Sequence, residues 1–218
     1  MLKVATAVEE IVKTSEFAMQ GLENGCLNYS AYAEIIVKRV EKRVKKPVKP
    51  GTIVAALRRL SLKSGTAKPY EPKIEAHNII TRSDLTEIAY VKTPASQRLV
   101  NKLSADTTFT NSPFFVVTQG VGELSIITTT ELAEQIQELS APLRPRLFLT
   151  GLAGLSMQTT ETGIETPNQF YTIIKQFALQ RINIVEFVTT YTELTFVLAE
   201  RDLKQAFNLL YDAFFVAD

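Results

Sequence analysis

An internal repeat constrains the fold of this chain more than any other feature of its sequence. The stretch SPFFVVTQGVGELSIITTTELAEQI at 112–136 has the same order of residue types as RINIVEFVTTYTELTFVLAERDLKQAF at 181–207. Each has an apolar run, a Thr-containing turn, a Glu-Leu step into a second apolar run, and a charged helical pattern. Three landmarks recur 73, 71 and 70 residues apart: Thr93-Pro94 with Thr166-Pro167, Val117-Thr118 with Val188-Thr189, and Glu123-Leu124 with Glu193-Leu194. An offset this constant indicates a true repeat.

Both copies predict the element order strand, helix, strand, strand, helix. In the first copy the elements are predicted at 85–93, 94–106, 114–119, 123–129 and 131–140. In the second they are predicted at 146–161 (strand and entry loop), 167–180, 182–190, 193–200 and 202–215. A βαββα unit that gains one more strand closes into a ferredoxin-like βαββαβ module. The start of RLFLTGLAG at 146–154 is the candidate closing strand of the first copy, so we expect the copies to share or exchange strands.

The N-terminal region predicts three helices. The first spans 4–20, the second begins at Ser30 as an N-cap candidate and ends at Lys46, and the third begins at Pro50. Pro47 disfavours helical geometry at the residue before it, whereas Pro50 suits the first turn of a helix. Three short helices with a tight turn before the third outline a helix-turn-helix, and any three-helix bundle gives the same outline.

The balance of charged residues also differs between the N-terminal region and the rest of the chain. Residues 1–75 contain 14 Lys and Arg against 8 Asp and Glu, and residues 76–218 contain 10 against 15. A basic N-terminal region favours an anionic partner such as DNA. The candidate nucleic-acid-binding residues are Lys49, Thr52, Arg58, Arg59 and Lys63. A packing or dimerisation domain with a solvated basic face is the alternative, and both interpretations stay open.

The predicted fold class is therefore α+β, with a helical, helix-turn-helix-like domain followed by two ferredoxin-like modules. We predict boundaries at 1–65 for the helical domain, 66–77 for a linker or wing, 78–145 for the first module and 146–218 for the second. The edge strands of such modules need a partner, so we expect a homodimer or higher homo-oligomer.

Composition excludes several classes of site. With one cysteine, Cys26, and one histidine, His77, the chain cannot form an internal disulfide or a Cys/His zinc site. It has no Gly-rich phosphate loop and no GxSxG or HExxH motif, so we expect no enzyme activity and no cofactor. It also lacks an apolar run of membrane-spanning length and a signal-peptide pattern, which predicts a cytoplasmic protein without membrane contact.

Residues 154–214 resemble ACT domains, particularly the regulatory ones of aspartate kinases. The resemblance rests on Gly154, Met157, Ile182-Asn183-Ile184, the Thr-rich turn from Thr189 to Leu194, and Asp202, Ala206, Leu210 and Phe214 in the last helix. The first copy resembles the family only through the repeat. The whole arrangement, with LNYSAYAEII at 27–36 and GTIVAALRRL at 51–60, resembles chiefly archaeal predicted regulators of amino acid metabolism that contain ACT domains.

This resemblance implies that an amino acid effector binds between the first strand-to-helix loop, Thr160 to Gln169, and the start of the facing strand. The implied ligand-binding residues are Thr166, Pro167, Asn168, Gln169, Ile182, Asn183 and Ile184. Asn168 stands where the family usually has glycine; the first copy has Ala95 there and lacks the Ile-Asn-Ile motif, so we expect it to be structural. The implied function is a non-catalytic, ligand-responsive regulator, with DNA binding through the N-terminal domain. The alternative is an interaction subunit that docks onto a metabolic enzyme.

Overall fold

The computed structural model describes residues 2–63, 72–141 and 143–216. The chain divides into two compact units, Met1–Glu71 and Pro72–Asp218. Residues 64–71, which include the first half of the predicted linker, lie outside the described residues. Residues 76 and 77 belong to the first strand of the C-terminal unit, so the predicted linker boundary at 77 is wrong.

The N-terminal unit contains helices α1 (Val4–Lys13), α2 (Glu16–Glu23), α3 (Tyr29–Val44) and α4 (Pro50–Lys63). Helices α1, α3 and α4 pack against one another. Their core is built from apolar residues at helical spacing, among them Val8, Ile11, Ile36, Val40, Ile53 and Leu57. The apolar stripes seen in the sequence therefore form a single core.

The helix predicted at 4–20 is two helices in the structure. The hydroxyl of Thr14 donates to the carbonyl of Ile11, and the hydroxyl of Ser15 accepts from the backbone N–H of Ala18. Ser15 thereby caps a new helix at a point where the apolar stripe runs on without interruption. Periodicity alone did not reveal the break because both helices bury the same stripe.

The turn between α3 and α4 is held by one carboxylate. The N-cap of helix α3 is Asn28, two residues before the predicted Ser30, and the helix ends at Val44, followed by Lys45 with φ 55°. Glu41 accepts a hydrogen bond from the backbone N–H of Val48 at 2.9 Å. Because Glu41 ties the end of α3 to the buried Val48, it fixes the short turn that leads into α4.

The C-terminal unit is built on a six-stranded antiparallel sheet. Its strands are β1 (Ala76–Val91), β2 (Phe115–Gln119), β3 (Glu123–Thr129), β4 (Leu147–Thr159), β5 (Ile184–Thr189) and β6 (Glu193–Ala199), in the order β2-β3-β1-β4-β6-β5. Its helices are α5 (Pro94–Ala105), α6 (Thr107–Thr110), α7 (Thr130–Leu139), α8 (Gln169–Leu179) and α9 (Leu203–Phe214), with 3-10 helices at Glu161–Glu165 and Glu200–Asp202.

The two βαββα copies exchange strands through β1 and β4. The first residues of β4, 147–149, pair with residues 87–89 of β1 and supply the fourth strand of the first copy. The first residues of β1, 76–82, pair with residues 154–159 of β4 and supply the fourth strand of the second copy. Because β1 and β4 each belong to both modules, the boundary predicted at 145/146 does not separate two independent sheets.

Apolar residues line both faces of this sheet. On one face, the helices cover two clusters centred on residues such as Ile88 and Leu103 in the first copy and Phe177 and Phe196 in the second. On the other face, Leu85, Ile127, Leu152 and Val197 form a smaller buried cluster that Phe114, Val116, Leu149 and Val185 pack against. A Cβ at Gly154 would lie 3.2 Å from Cδ1 of Leu85 and 3.4 Å from Cε2 of Phe114, so these two side chains pack closely against the backbone of this central strand.

The Thr-Pro landmarks of the repeat are not structurally equivalent, which corrects the sequence alignment. Pro94 opens α5 directly, and Thr93 and Ser96 form a capping box. Helix α8 begins only at Gln169, two residues after Pro167. Leu85 pairs with Thr129 in the first copy as Leu152 pairs with Ala199 in the second, so Leu85 and Leu152 are equivalent positions. Counted from these positions, the second copy has a longer loop between its first strand and its first helix. The offset of 73 between the two Thr-Pro pairs therefore reflects the longer loop and does not relate equivalent residues of the two copies.

Candidate functional site

The long loop between β4 and α8, residues 160–168, is folded onto itself by short-range hydrogen bonds. Its middle is the 3-10 helix Glu161–Glu165. The backbone N–H of Thr166 donates to the carbonyl of Gly163 at 3.1 Å, and the hydroxyl of Thr166 donates to the carbonyl of Thr162 at 2.8 Å. The loop therefore has a defined shape rather than being an open connection.

The side chain of Gln169, the first residue of α8, packs against this loop. It is 6% exposed, and its Nε2 donates to Oγ1 of Thr159 at 3.2 Å. The amide lies against Gly163, where an added Cβ would be only 2.5 Å from Oε1 of Gln169. The loop can pack this closely because residue 163 has no side chain.

A cavity of about 130 Å³ lies between this loop and the segment that leads into β1. It is lined by Lys73, Ile74, Glu75, Thr159, Thr160, Thr162, Gly163, Thr166 and Gln169. One water needs only about 10–15 Å³ on the same measure, so the cavity has room for a small organic ligand. Its lining offers hydroxyls, a carboxamide, an ammonium and a carboxylate, which are groups that hydrogen-bond polar and charged ligands.

A second cavity of about 330 Å³ adjoins the same loop. It is lined by Gly163, Ile164, Thr166, Asn168, Gln169, Phe170 and Tyr171. Three of these, Gly163, Thr166 and Gln169, also line the first cavity. The two cavities therefore share a wall.

The predicted ligand-binding residues divide between these cavities and the core. Thr166 and Gln169 line both cavities, Asn168 lines the second, and Pro167 lines neither. Asn168 adopts φ 65° as the N-cap of α8, a left-handed conformation that asparagine tolerates well.

The residues of the Ile-Asn-Ile motif, 182–184, line neither cavity. Ile182 is buried and donates its backbone N–H to the carbonyl of Phe177 at 3.0 Å. Ile184 packs against the same helix-side core, and Asn183 is exposed. The structure thus does not bring this motif together with the loop in the cavities described.

Sequence reasoning missed several lining residues. Thr160, Thr162 and Gly163 lie in the loop from Thr160 to Gln169 that was predicted to contact the effector, but they were not named among the ligand-binding residues. Lys73, Ile74 and Glu75 had no signal, because only the pairing of β1 with β4 brings them beside the loop. The first copy connects β1 to α5 through Lys92 and Thr93 alone, so it has no loop of comparable length.

The carboxyl groups of Glu87 and Glu186 are neighbours in the C-terminal unit. Glu87 on β1 is 5% exposed and accepts a 2.6 Å hydrogen bond from the hydroxyl of Ser125 on β3. Burial raises the pKa of Glu186 on β5, and the neighbouring carboxyl of Glu87 raises it further, by its charge and by hydrogen bonding. Glu87 and Glu186 pair across the sheet with Ile127 and Val197, so they lie on the face opposite the helices and outside both cavities.

The basic residues predicted for nucleic-acid binding lie on and before α4. Lys49, Thr52, Arg58 and Arg59 are exposed, and the side chain of Lys63 lies outside the described residues. The Nε of Arg59 donates to the carbonyl of Ala55 at 3.2 Å. Residues 38–63 contain ten Lys and Arg and a single acidic residue, Glu41, which is engaged with the backbone of Val48.

A metal-binding cluster and a membrane-spanning helix are not found in the part of the chain that the structure describes. Over residues 2–63, 72–141 and 143–216, His, Cys, Asp and Glu form no group of three or more that could hold a metal ion. Within the same residues, no helix combines the length and apolar character needed to cross a membrane.

The sequence matches no family model and no curated protein. Solved structures are similar to it in fold. The aspartate kinase of Clostridium acetobutylicum is 16% identical with a TM-score of 0.52, over 64% of this chain and 34% of that one. The regulatory subunit of aspartate kinase from Thermus thermophilus is 15% identical with a TM-score of 0.51, over 64% of this chain and 99% of the subunit. Aspartate kinase from Synechocystis is 15% identical with a TM-score of 0.55, over 68% and 28%.

This chain therefore spans about a third of the length of those whole kinases and nearly all of the separate regulatory subunit. Its curled antiparallel sheet with covering helices is the fold of aspartate kinase regulatory regions. The resemblance to aspartate kinase regulatory regions predicted from residues 154–214 is confirmed at the level of the fold, and the helix-turn-helix of the N-terminal unit stays a prediction.

Proposed function

We propose that this chain is a non-catalytic regulator whose C-terminal unit binds an amino acid in the cavity beside the β4–α8 loop. The observation that carries the proposal is the polar cavity built around the buried side chain of Gln169. The ACT-type fold adds support, since the similar solved structures include a separate regulatory subunit. A buried carboxamide beside threonine hydroxyls suits a small, strongly polar ligand better than an apolar one.

The charges at the cavity complement a zwitterion. Lys73 supplies an ammonium that can pair with an α-carboxylate, and Glu75 supplies a carboxylate that can accept from an α-ammonium. Threonine hydroxyls both donate and accept, so they can complete the hydrogen bonds of either group. An amino acid thus finds a partner for each of its charged ends.

Amino acid binding is expected to stabilise the protein against heat. At about 100 times its dissociation constant, a ligand adds roughly 2.7 kcal/mol to the free energy of unfolding. For a chain of this size that corresponds to a rise of about 5–10 °C in the melting temperature. The measurement is a thermal-shift screen of the full chain against the twenty amino acids.

A glycine variant tests whether the effector occupies this cavity. In Gly163→Ala the new methyl displaces the Gln169 amide, so the ligand-induced shift should be lost while the unliganded protein still folds. Gly122→Ala is the matched control, because a Cβ there meets no atom within 4 Å. Absence of a shift with every amino acid in the unmodified protein contradicts effector binding. A shift that survives Gly163→Ala places the effector elsewhere.

DNA binding by the N-terminal unit is a second candidate function. It is favoured by the ten-to-one excess of basic over acidic residues at 38–63 and by the exposure of Arg58 and Arg59. A short turn ahead of a helix that exposes arginines suits contact with phosphates and with base edges. Together with effector binding, this makes the chain a transcriptional regulator of amino acid metabolism.

The salt dependence of DNA retention tests this candidate. Each neutralised phosphate contributes about 0.9 to the slope of log K against log salt, so replacing both Arg58 and Arg59 by alanine should reduce the slope by about 2. The control is the double variant Lys3→Ala and Lys13→Ala, which removes the same charge from the ends of α1. If the full chain is not retained on DNA even at low salt, DNA binding is wrong.

The alternative function is then an interaction subunit that docks onto and regulates a metabolic enzyme. In that case, the strands at the two ends of the sheet, β2 and β5, are available for pairing with another chain. A homodimer or higher homo-oligomer and a cytoplasmic location stay predictions of the same proposal. Sedimentation of the full chain at several concentrations measures the oligomeric state.

A further inference from the structure

The two cavities beside the β4–α8 loop differ in chemistry although they share a wall. The first has four threonines, Lys73 and Glu75 in its lining. The second has Ile164, Phe170 and Tyr171. A ligand that spans the shared wall of Gly163, Thr166 and Gln169 would meet polar groups at one end and apolar groups at the other.

The apolar cavity has large side chains that remain exposed. Ile164 is 71% exposed, Phe170 48% and Tyr171 53%. A single exposed apolar side chain is ordinary, but three around one concave surface mark a place where apolar atoms can be buried by a ligand. The exposure of these three side chains therefore favours a bound ligand at this surface.

The side chain of Phe170 is held in place by aromatic residues of the core. The ring of Phe170 packs edge-to-face against Phe187 of β5, with ring centroids 5.6 Å apart and an interplanar angle of 81°. Phe187 in turn stacks on the buried Phe196 at 4.8 Å. The cavity wall is thus connected to the core and is preformed for contact with an apolar group.

We propose that the effector is an amino acid with an apolar side chain, such as leucine or phenylalanine. This inference rests on the proposed function. The α-ammonium and α-carboxylate occupy the polar cavity, and the side chain lies across Thr166 and Gln169, which line both cavities, against Ile164, Phe170 and Tyr171. The second cavity is therefore the specificity pocket of the site, and Ile164 and Phe170 are its specificity-determining residues.

The effector class sets an expected order of affinities. Alanine carries the same α-groups as leucine but has no side chain that reaches the second cavity. A difference of one methylene in an apolar pocket changes affinity by about 10-fold or more, so leucine and phenylalanine should bind at least about 10-fold more tightly than alanine. Serine, aspartate and lysine should gain no such advantage, because their side chains would place polar groups against Ile164 and Phe170.

The test is calorimetric titration of the full chain with alanine, serine, aspartate, lysine, leucine and phenylalanine. Ile164→Ser is expected to bring the affinity for leucine to within about threefold of that for alanine. Because Ile164 is largely exposed, this variant should fold normally, and circular dichroism checks that it does. Val121→Ser is the matched control, since Val121 is fully exposed in the β2–β3 turn and lines neither cavity.

Two outcomes overturn this inference and are distinguishable from each other. Amino acid binding that shows no preference for apolar side chains, or that is unaffected by Ile164→Ser, overturns the specificity pocket and leaves the proposed function intact. Absence of binding by leucine and phenylalanine overturns this inference, whereas the proposed function is overturned only if none of the twenty amino acids binds.

Discussion

Phe196→Ala is expected to lower the free energy of unfolding of the C-terminal unit by about 3–5 kcal/mol, the usual cost of removing a fully buried phenylalanine. Phe196 is 0% exposed on β6. Its ring centroid lies 4.7 Å from that of Phe177 on α8 and 4.8 Å from that of Phe187 on β5. The substitution leaves a cavity at the centre of the helix-side core and removes the support of α8. The measurement is denaturant unfolding followed by circular dichroism.

Tyr191→Ala is the control for this variant. Tyr191 is an aromatic residue in the β5–β6 turn and is 58% exposed, so its loss should change the free energy of unfolding by no more than about 0.5 kcal/mol. Equal effects of the two substitutions would show that the aromatic stack does not form the core of this unit. Loss of effector binding in Phe196→Ala is also expected, because α8 begins with Gln169.

Leu85→Ala is expected to destabilise both modules together, by about 2–5 kcal/mol. Leu85 is fully buried on the sheet face opposite the helices and pairs with Thr129 of the first copy and with Leu152 of β4. Because β1 and β4 each complete both modules, neither module keeps its fourth strand if the other unfolds. A single cooperative transition, shifted as a whole, is therefore expected for the C-terminal unit.

The test follows unfolding of the two modules separately, by hydrogen exchange in β3 and in β6. Val91→Ala is the control in the same strand; Val91 is 49% exposed at the end of β1 and should cost about 0.5 kcal/mol or less. Two transitions in which only one module responds to Leu85→Ala would contradict the strand exchange.

Much of the C-terminal fold was predictable from local sequence. The strand Glu123–Thr129 was predicted with its exact bounds, and the second hairpin, Ile184–Thr189 with Glu193–Ala199, within two residues. Hairpins are predictable because alternation and turn residues are local signals. Helix α6 was missed, since a four-residue helix has too few positions to show a period.

The candidate site was predictable only in part. Thr166 and Gln169 were predicted and do line the polar cavity, while the start of α8 was set two residues too early because Pro167 was taken as its first residue. Lys73 and Glu75 lie almost ninety residues from the loop in sequence. No local pattern connects them to Thr159, which pairs with Ala76 only once β1 and β4 have joined.

The repeat, the element types and the division of charge follow from the amino-acid sequence alone, because each depends on residues that are neighbours along the chain. Three features follow only from the folded structure: β1 and β4 exchange ends, the β4–α8 loop closes a cavity over Gln169, and a glycine at 163 makes room for that side chain. These features depend on which strands pair and in what register. Strand pairing is set by packing across the whole sheet, where residues far apart in sequence compete for the same buried positions.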